Sequence, residues 1–274
     1  MSNTIVTYNN TTGARIDMRW LSEAINGKYS QEQASLLHIS VGNQSVPAGD
    51  IFTISGNFDN EDIQLNGATA KLDYVGHALA DGQHLTVTGD CGHYLGAELN
   101  GGKLSVNGNS LDYTGCSMRK GLIEIQGNSR DYLGGAYTGH KKGMSGGTIL
   151  VHGDAGNFTG DLMRRGIIMI TGDIGDYCGS RMIAGTITNL GKIGNHVGVG
   201  MRRGTLLLPE LPEQMPDTFT NCGRHNLGYL TLLLHELRTY DSEFKSLHSM
   251  RRRVQKYMGD ASVDGLGEIL IWIG

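Results

Sequence analysis

The sequence predicts an all-β chain: a right-handed parallel β-helix of about seven 19-residue coils, with small α/β caps at both ends. Three observations predict it. Glycine supplies 42 of the 274 residues, which disfavours helices and permits tight turns. A glycine in the pattern [ILV]-x-G-[DNK] recurs at Gly89, Gly108, Gly127, Gly153, Gly172 and Gly191, in steps of 19, 19, 26, 19 and 19. Each repeat also holds a short alternating run, such as "KLSVNG", "LIEIQG" or "IIMITG", with the period of a strand. A unit of this length is too short for a strand–helix–strand crossover or a propeller blade, but it suits one coil of a parallel β-helix.

Taken in order, residues 1–50 form the N-terminal cap. "RWLSEAINGKY" and "SQEQASLLHISVGNQ" hold its helical stretches, and "VGNQSVPAGDIFTISG" leads into the first coil. Residues 51–208 form the β-helix repeat domain, in which residues of one column stack from coil to coil. The Ile, Leu and Val of the strands become interior ladders. Met144, Met163, Met182 and Met201, each 19 apart, read as core packing rather than a ligand site. Tyr94, Tyr113, Tyr132, Phe158, Tyr177 and His196 precede a glycine column and read as a second packed stack. Asp90, Asp154 and Asp173 follow the repeat glycine and are assigned to turn chemistry. The long step holds seven extra residues within "GAYTGHKKGM". Residues 209–274 form the C-terminal linker and cap. "LPELPEQMPDTF" carries three of the four prolines, and Leu230, Leu233, Leu234 and Leu237 repeat at helical spacing.

Composition narrows the function. The formal net charge of −4 gives no global basic field for nucleic acid. No 18-residue apolar run spans a bilayer and no secretory leader is evident, so the expectation is a cytoplasmic protein. Cys91, Cys116, Cys178 and Cys222 form no C-x-x-C pair and are expected as reduced thiols. "HELRTY" lacks the second histidine of a zinc-protease motif, and no G-x-S-x-G occurs. "GDAGNFTG" looks like a phosphate loop, but no G-K-[ST] follows. The ten histidines form no H-x-H pair. No catalytic or metal-binding residue is therefore assigned, and no cofactor-binding residue is identified.

One feature departs from plain repeat chemistry. Arg119-Lys120, Arg164-Arg165 and Arg202-Arg203 follow the methionine column at intervals of 45 and 38, which are 26 + 19 and 19 + 19. The pairs thus share one edge on alternate coils, and Lys141-Lys142 in the insertion adds to it. The six residues of the three pairs, Arg119, Lys120, Arg164, Arg165, Arg202 and Arg203, are the candidate interface. The edge is either a solvated margin or a basic stripe facing an acidic partner or ligand.

The recurring "GNFTGDLMRRGIIMITGD", the leader "VGNQSVPAGDIFTISG" and the tail "YMGDASVDGLGEILI" carry a resemblance over residues 35–274. The array resembles the glycine-repeat β-helix at the C-terminus of the glutamate synthase large subunit. The whole chain is similar to the glycine-repeat subunit of formylmethanofuran dehydrogenase and of the formyltransferase/hydrolase complex. The resemblance implies a structural subunit in one-carbon metabolism. In the hydrolase complex, formyl groups pass from tetrahydromethanopterin to a methanofuran analogue and leave as formate. Metals and the methanofuran-type cofactor are then expected in partner subunits, with none bound by this chain alone. Those partners are amidohydrolase-like, formyltransferase-like and molybdopterin-protein-like; nucleic acid and membrane are not expected. The polyglutamate arm of such cofactors is one conceivable ligand of the basic edge. The alternatives are the corresponding subunit of an archaeal-type molybdenum or tungsten formylmethanofuran dehydrogenase, a free-standing carbohydrate-active β-helix protein, and the amidotransferase-linked domain of a synthase. The sparse charge, 18% of residues, favours the hydrolase complex over a hyperthermophilic enzyme.

Overall fold

The computed structural model describes residues 3–9, 12–247 and 252–273. Strands β1 (Thr4–Tyr8) and β2 (Ile16–Asp17) precede helices α1 (Arg19–Asn26) and α2 (Gln31–Ser35). The hairpin β3 (His38–Val41) and β4 (Gln44–Pro47) leads through one turn, α3 (Ala48–Ile51), to β5 (Phe52–Ser55). The repeats supply β6 (Asp62–Ala68), β7 (Leu72–Asp73), β8 (His84–Gly89), β9 (Asn100–Asn107), β10 (Lys120–Ile125), β11 (Ser145–Val151), β12 (Arg165–Ile170), β13 (Thr186–Asn189) and β14 (Thr205–Leu208). Then follow β15 (Thr220–Asn226), α4 (Leu230–Leu237), β16 (Arg253–Gly259) and β17 (Gly267–Trp272).

The fold is built mainly of strands, and most of them join one large, mostly parallel sheet. Its 13 strands run in the order β15-β16-β17-β14-β13-β12-β11-β10-β9-β8-β6-β1-β5. The 19-residue step fixes the register. Leu85, Leu104, Ile123, Ile149, Ile168, Ile187, Leu206 and Ile269 are successive partners, and all are buried. A one-residue slip would turn this ladder to water, so burial itself holds the register. A second parallel ladder of single bridges links Cys91, Ser110, Ser129, Ala155, Ile174 and Ile193. The four-stranded sheet β4-β3-β2-β7 runs into it, since Gly92 N–H donates to the Leu72 carbonyl at 2.8 Å.

The methionine column stacks inside, as its spacing predicts. Met144, Met163, Met182 and Met201 are fully buried. The carbonyls of the first three accept the N–H groups of Arg164, Ile183 and Arg202, one repeat on, at 2.7–2.8 Å. The methyls of the same three lie over a glycine of the next repeat. A Cβ on Gly166 would come within 2.7 Å of Met144 Cε, and one on Gly185 within 2.8 Å of Met163 Cε.

The Asx residues of the repeat do more than turn the chain. Asp154 Oδ1 accepts the N–H of Asp173, and Asp173 Oδ1 that of Lys192, each 19 residues ahead. Asp131, Asn157 and Asp176 form a second such ladder through Asn157, Asp176 and Asn195. Each accepting oxygen occupies the space of a Cβ on the glycine one repeat on: Gly172 over Asp154, Gly175 over Asn157. This is the physical content of "GDAGN": two glycines, each making room for the side chain that bonds the next rung.

The two ends depart from the repeat. The sequence places "IFTISG" in the first coil, but β5 runs antiparallel to β1. It is β1, from the N-terminal segment, that pairs parallel with β6 and extends the rungs. At the other end β17 pairs parallel with β14, β16 runs antiparallel to β17, and β15 reverses again. Alternation also fails locally in "TILVHG" and "IIMITG". Leu150 and Met169 point outward yet are buried, because Leu234 and Leu237 of α4, with Phe244 and Leu247, pack over them.

Candidate functional site

The basic edge is built by backbone register. Arg119 N–H donates to the Leu99 carbonyl, Ser145 to Met118, Arg164 to Met144, Ile183 to Met163, Arg202 to Met182 and Leu266 to Arg202, all at 2.7–2.8 Å. The first five therefore occupy one column, rung after rung, and Leu266 falls one place on, opposite Arg203. All six basic residues singled out by the spacing are exposed on that edge.

The structure separates them into two sets. Arg119 faces Glu98 at 3.9 Å, and Lys120 faces Asp81 at 3.8 Å, so nearby acids compensate their charge. Arg164, Arg165, Arg202 and Arg203 form no side-chain hydrogen bond or ion pair among the described residues, and together they line a concavity of about 530 Å³. Its floor is Ile183-Ala184, the pair that interrupts the stripe in the sequence. Its end wall is the turn bearing Val263, Asp264 and Leu266. Val263 is 41% and Leu266 64% exposed, although both are apolar.

Sequence reasoning missed this wall. The signal was present: Leu266-Gly267-Glu268-Ile269-Leu270-Ile271 repeats the pattern of Arg203-Gly204-Thr205-Leu206-Leu207-Leu208. The tail thus enters the array as one more rung, and Leu266 takes a place in the arginine column. The turn before it is pinned by Asp260, which is buried. Its carboxylate accepts N–H groups from Gly200 and Ser262, each at 2.8 Å. Burial alone would raise the Asp260 pKa, but these bonds and Thr218 outweigh it and lower it.

A second concavity of about 540 Å³ adjoins the first, sharing Ile183, Arg202 and Val263. His140 and Lys141 of the insertion line it, so the insertion does reach this edge. Arg181 also lies there, but it is held by the buried Asp161 through two bonds of 2.8 and 2.6 Å. Asp161 thereby raises the pKa of Arg181.

The aromatic column stacks as the spacing implies, and Tyr74 extends it by one ring. Centroids lie 4.7–5.0 Å apart from Tyr74 through Tyr94, Tyr113, Tyr132, Phe158 and Tyr177 to His196. It is a surface spine rather than a core: the six rings before His196 are half-buried and His196 is exposed. Tyr137 of the insertion folds back onto Tyr94 at 5.6 Å.

Cys91, Cys116 and Cys178 are buried, and burial pushes the Cys116 and Cys178 thiols up to about 12 and raises that of Cys91 as well. Cys222 is exposed. Among the described residues no group of His, Cys, Asp and Glu is placed to hold a metal ion, and no helix is long and apolar enough to cross a membrane.

Stacked glycine repeats in a mostly parallel sheet, with the charge anomaly confined to one edge, define a glycine-repeat protein. The chain belongs to the GXGXG motif family, which it matches over residues 52–222. Among solved structures it is similar to a chain of the formyltransferase/hydrolase complex FhcABCD from Methylorubrum extorquens, crystallised with methylofuran. The identity is 32% and the TM-score 0.91, over 98% of this chain and 100% of that one. No curated protein matches the sequence. The resemblance read from the repeat, leader and tail is thus borne out for the family and for the complex in which its relative sits.

Proposed function

We propose that this chain is the structural, glycine-repeat subunit of a formyltransferase/hydrolase-type complex of one-carbon metabolism. In that reading formyl groups pass from tetrahydromethanopterin to a methanofuran analogue on partner subunits and are released as formate. The observation that carries it is the end-to-end similarity, at 32% identity, to one chain of such a complex. That match is to the hydrolase complex, which favours it over a molybdenum or tungsten dehydrogenase.

The scaffold is a right-handed parallel β-helix of about seven coils over residues 51–208, with residues 1–50 and 209–274 as its caps. Its partners are the amidohydrolase-like and formyltransferase-like subunits, which hold the metals and the methanofuran-type cofactor, in the cytoplasm. The fold suits this role because every repeat spends its side chains on stacking, and the exposed edge is left for contact.

The test is co-expression with candidate amidohydrolase-like and formyltransferase-like subunits. The expected result is a complex that contains this chain and releases formate, while the isolated chain releases none. A fully active complex that forms without this chain would overturn the reading.

A further inference from the structure

We propose that the groove between Arg164-Arg165 and Arg202-Arg203 docks an acidic segment of a partner subunit, two carboxylates straddling one apolar side chain that seats on Ile183 and Leu266. The proposal rests on the reading of this chain as a subunit and names what one of its edges holds.

Four observations lead to it. The groove is lined by four guanidinium groups against one carboxylate, Asp264, and none of the four has a side-chain partner among the described residues. The third pair of the column already faces acids: Arg119 has Glu98 and Lys120 has Asp81. Of the three pairs, the two that lie without acids are the two that border the concavity.

The floor and wall are apolar. A margin kept only for solubility has no use for Leu266 at 64% exposure beside Ile183. Arginine around an apolar centre is the composition of a protein-binding surface. The planar fork of arginine also fits carboxylates through paired hydrogen bonds.

The spacing selects the segment. The two pairs are two rungs apart, about 9.6 Å at the usual strand separation, and an extended chain turns residues i, i+2 and i+4 to one face, about 13 Å from first to last. Carboxylates four residues apart therefore reach both pairs, the long arginine side chains taking up the difference, with the apolar residue midway between them over the floor.

The site is also built in advance. Leu266 N–H is held by the Arg202 carbonyl at 2.7 Å, and Asp260 anchors the turn behind it. Little ordering is left to be done on docking.

The test uses the full chain and a fluorescein-labelled peptide, Gly-Asp-Glu-Ala-Leu-Ala-Glu-Asp-Gly, read by fluorescence polarisation. Binding is expected to weaken about tenfold or more between roughly 0.05 and 0.3 M salt. The double variant Arg164→Gln/Arg202→Gln should lose about tenfold or more, while Arg119→Gln/Lys120→Gln binds as the wild type does. Leu266→Ser, a change that leaves every charge in place, should weaken binding as well. Thermal unfolding by circular dichroism reports whether each variant is folded.

Hexaglutamate bound as tightly as the peptide would mean plain anion capture and would overturn the proposal. So would a folded double variant with wild-type affinity, or no binding at all. Complex formation is scored separately. A complex that assembles normally with the double variant at every salt concentration overturns the docking and leaves the subunit reading standing. A wild-type chain that joins no complex overturns the subunit reading, and the peptide result then decides the groove alone.

Discussion

Gly172 carries a hydrogen atom where any other residue would carry a carbon already displaced by Asp154 Oδ1. Replacing it with alanine must push the Asp154 carboxylate off the N–H of Asp173. Gly172→Ala should therefore cost about 2 kcal/mol or more in urea unfolding, whereas Gly228→Ala, with open space around it, should change stability by less than about 1 kcal/mol. The glycine column was legible in the sequence; its cause was not, because the partner of each glycine lies in a neighbouring repeat. Asp260 is a second residue with a definite consequence. Its pKa is lowered in the fold, so its contribution is present above the unfolded carboxylate value and is lost as pH falls through the lower folded value. Asp260→Asn should narrow the stability gap to the wild type as pH drops below about 4, measured as melting temperature against pH. A gap that is constant with pH would show that the carboxylate charge contributes nothing.

Two elements show how a repeat sequence outvotes local preference. Every ring of the aromatic spine sits in the left-handed region, from φ 57° at Phe158 to 65° at Tyr113. That conformation costs a non-glycine residue about 1–2 kcal/mol. Stacking returns about 0.5–1.5 kcal/mol per pair, and the backbone N–H of each ring residue from Tyr74 to Tyr177 bonds the next repeat. At Tyr132 the usual order should invert: Tyr132→Gly should be less destabilising than Tyr132→Ala by about 1 kcal/mol, in denaturant titration. An alanine variant at least as stable as the glycine variant would show that the conformation is not costly there. The second element is α4. Its leucine spacing announced a helix, but not its docking surface, since nothing in "LGYLTLLLHELRTY" names a target. The target was written elsewhere, in the unbroken apolar runs of "TILVHG" and "IIMITG", whose outward residues need a cover. Leu234→Ala and Leu237→Ala should each cost about 2–4 kcal/mol through the cavity left over Leu150 and Met169, checked by thermal unfolding.

At the scale of the molecule, the repeat was the most legible feature because a constant step needs no knowledge of the partner strand. What stayed hidden were β1, β5 and β17, which join the sheet without carrying the repeat's full phrase. Their pairing is decided by which edge of the stack is open when they arrive. Only the "LGEILI" of the tail betrayed its place. The basic groove was half legible for the same reason: its arginines share the repeat's phase, while Val263 and Leu266 come from the tail. Since each repeat bonds chiefly to its neighbours, removal of residues 109–127, one whole 19-residue unit, should leave a folded, cooperative chain. Removal of 18 residues should not, because every ladder beyond the cut would face the wrong side. Circular dichroism melts of the two deletions compare them directly. The reversed strands at either end have a further consequence. The parallel stack stops where β5 and β16 turn back, so at each end an antiparallel strand and not another rung follows it. Its length is then set by the number of repeats alone. Nine steps from β1 to β17 make about 43 Å, adjustable only in increments of about 4.8 Å. The chain is a ruler with a stop at each end, and two bodies gripping it at different rungs are held at a distance written in the gene.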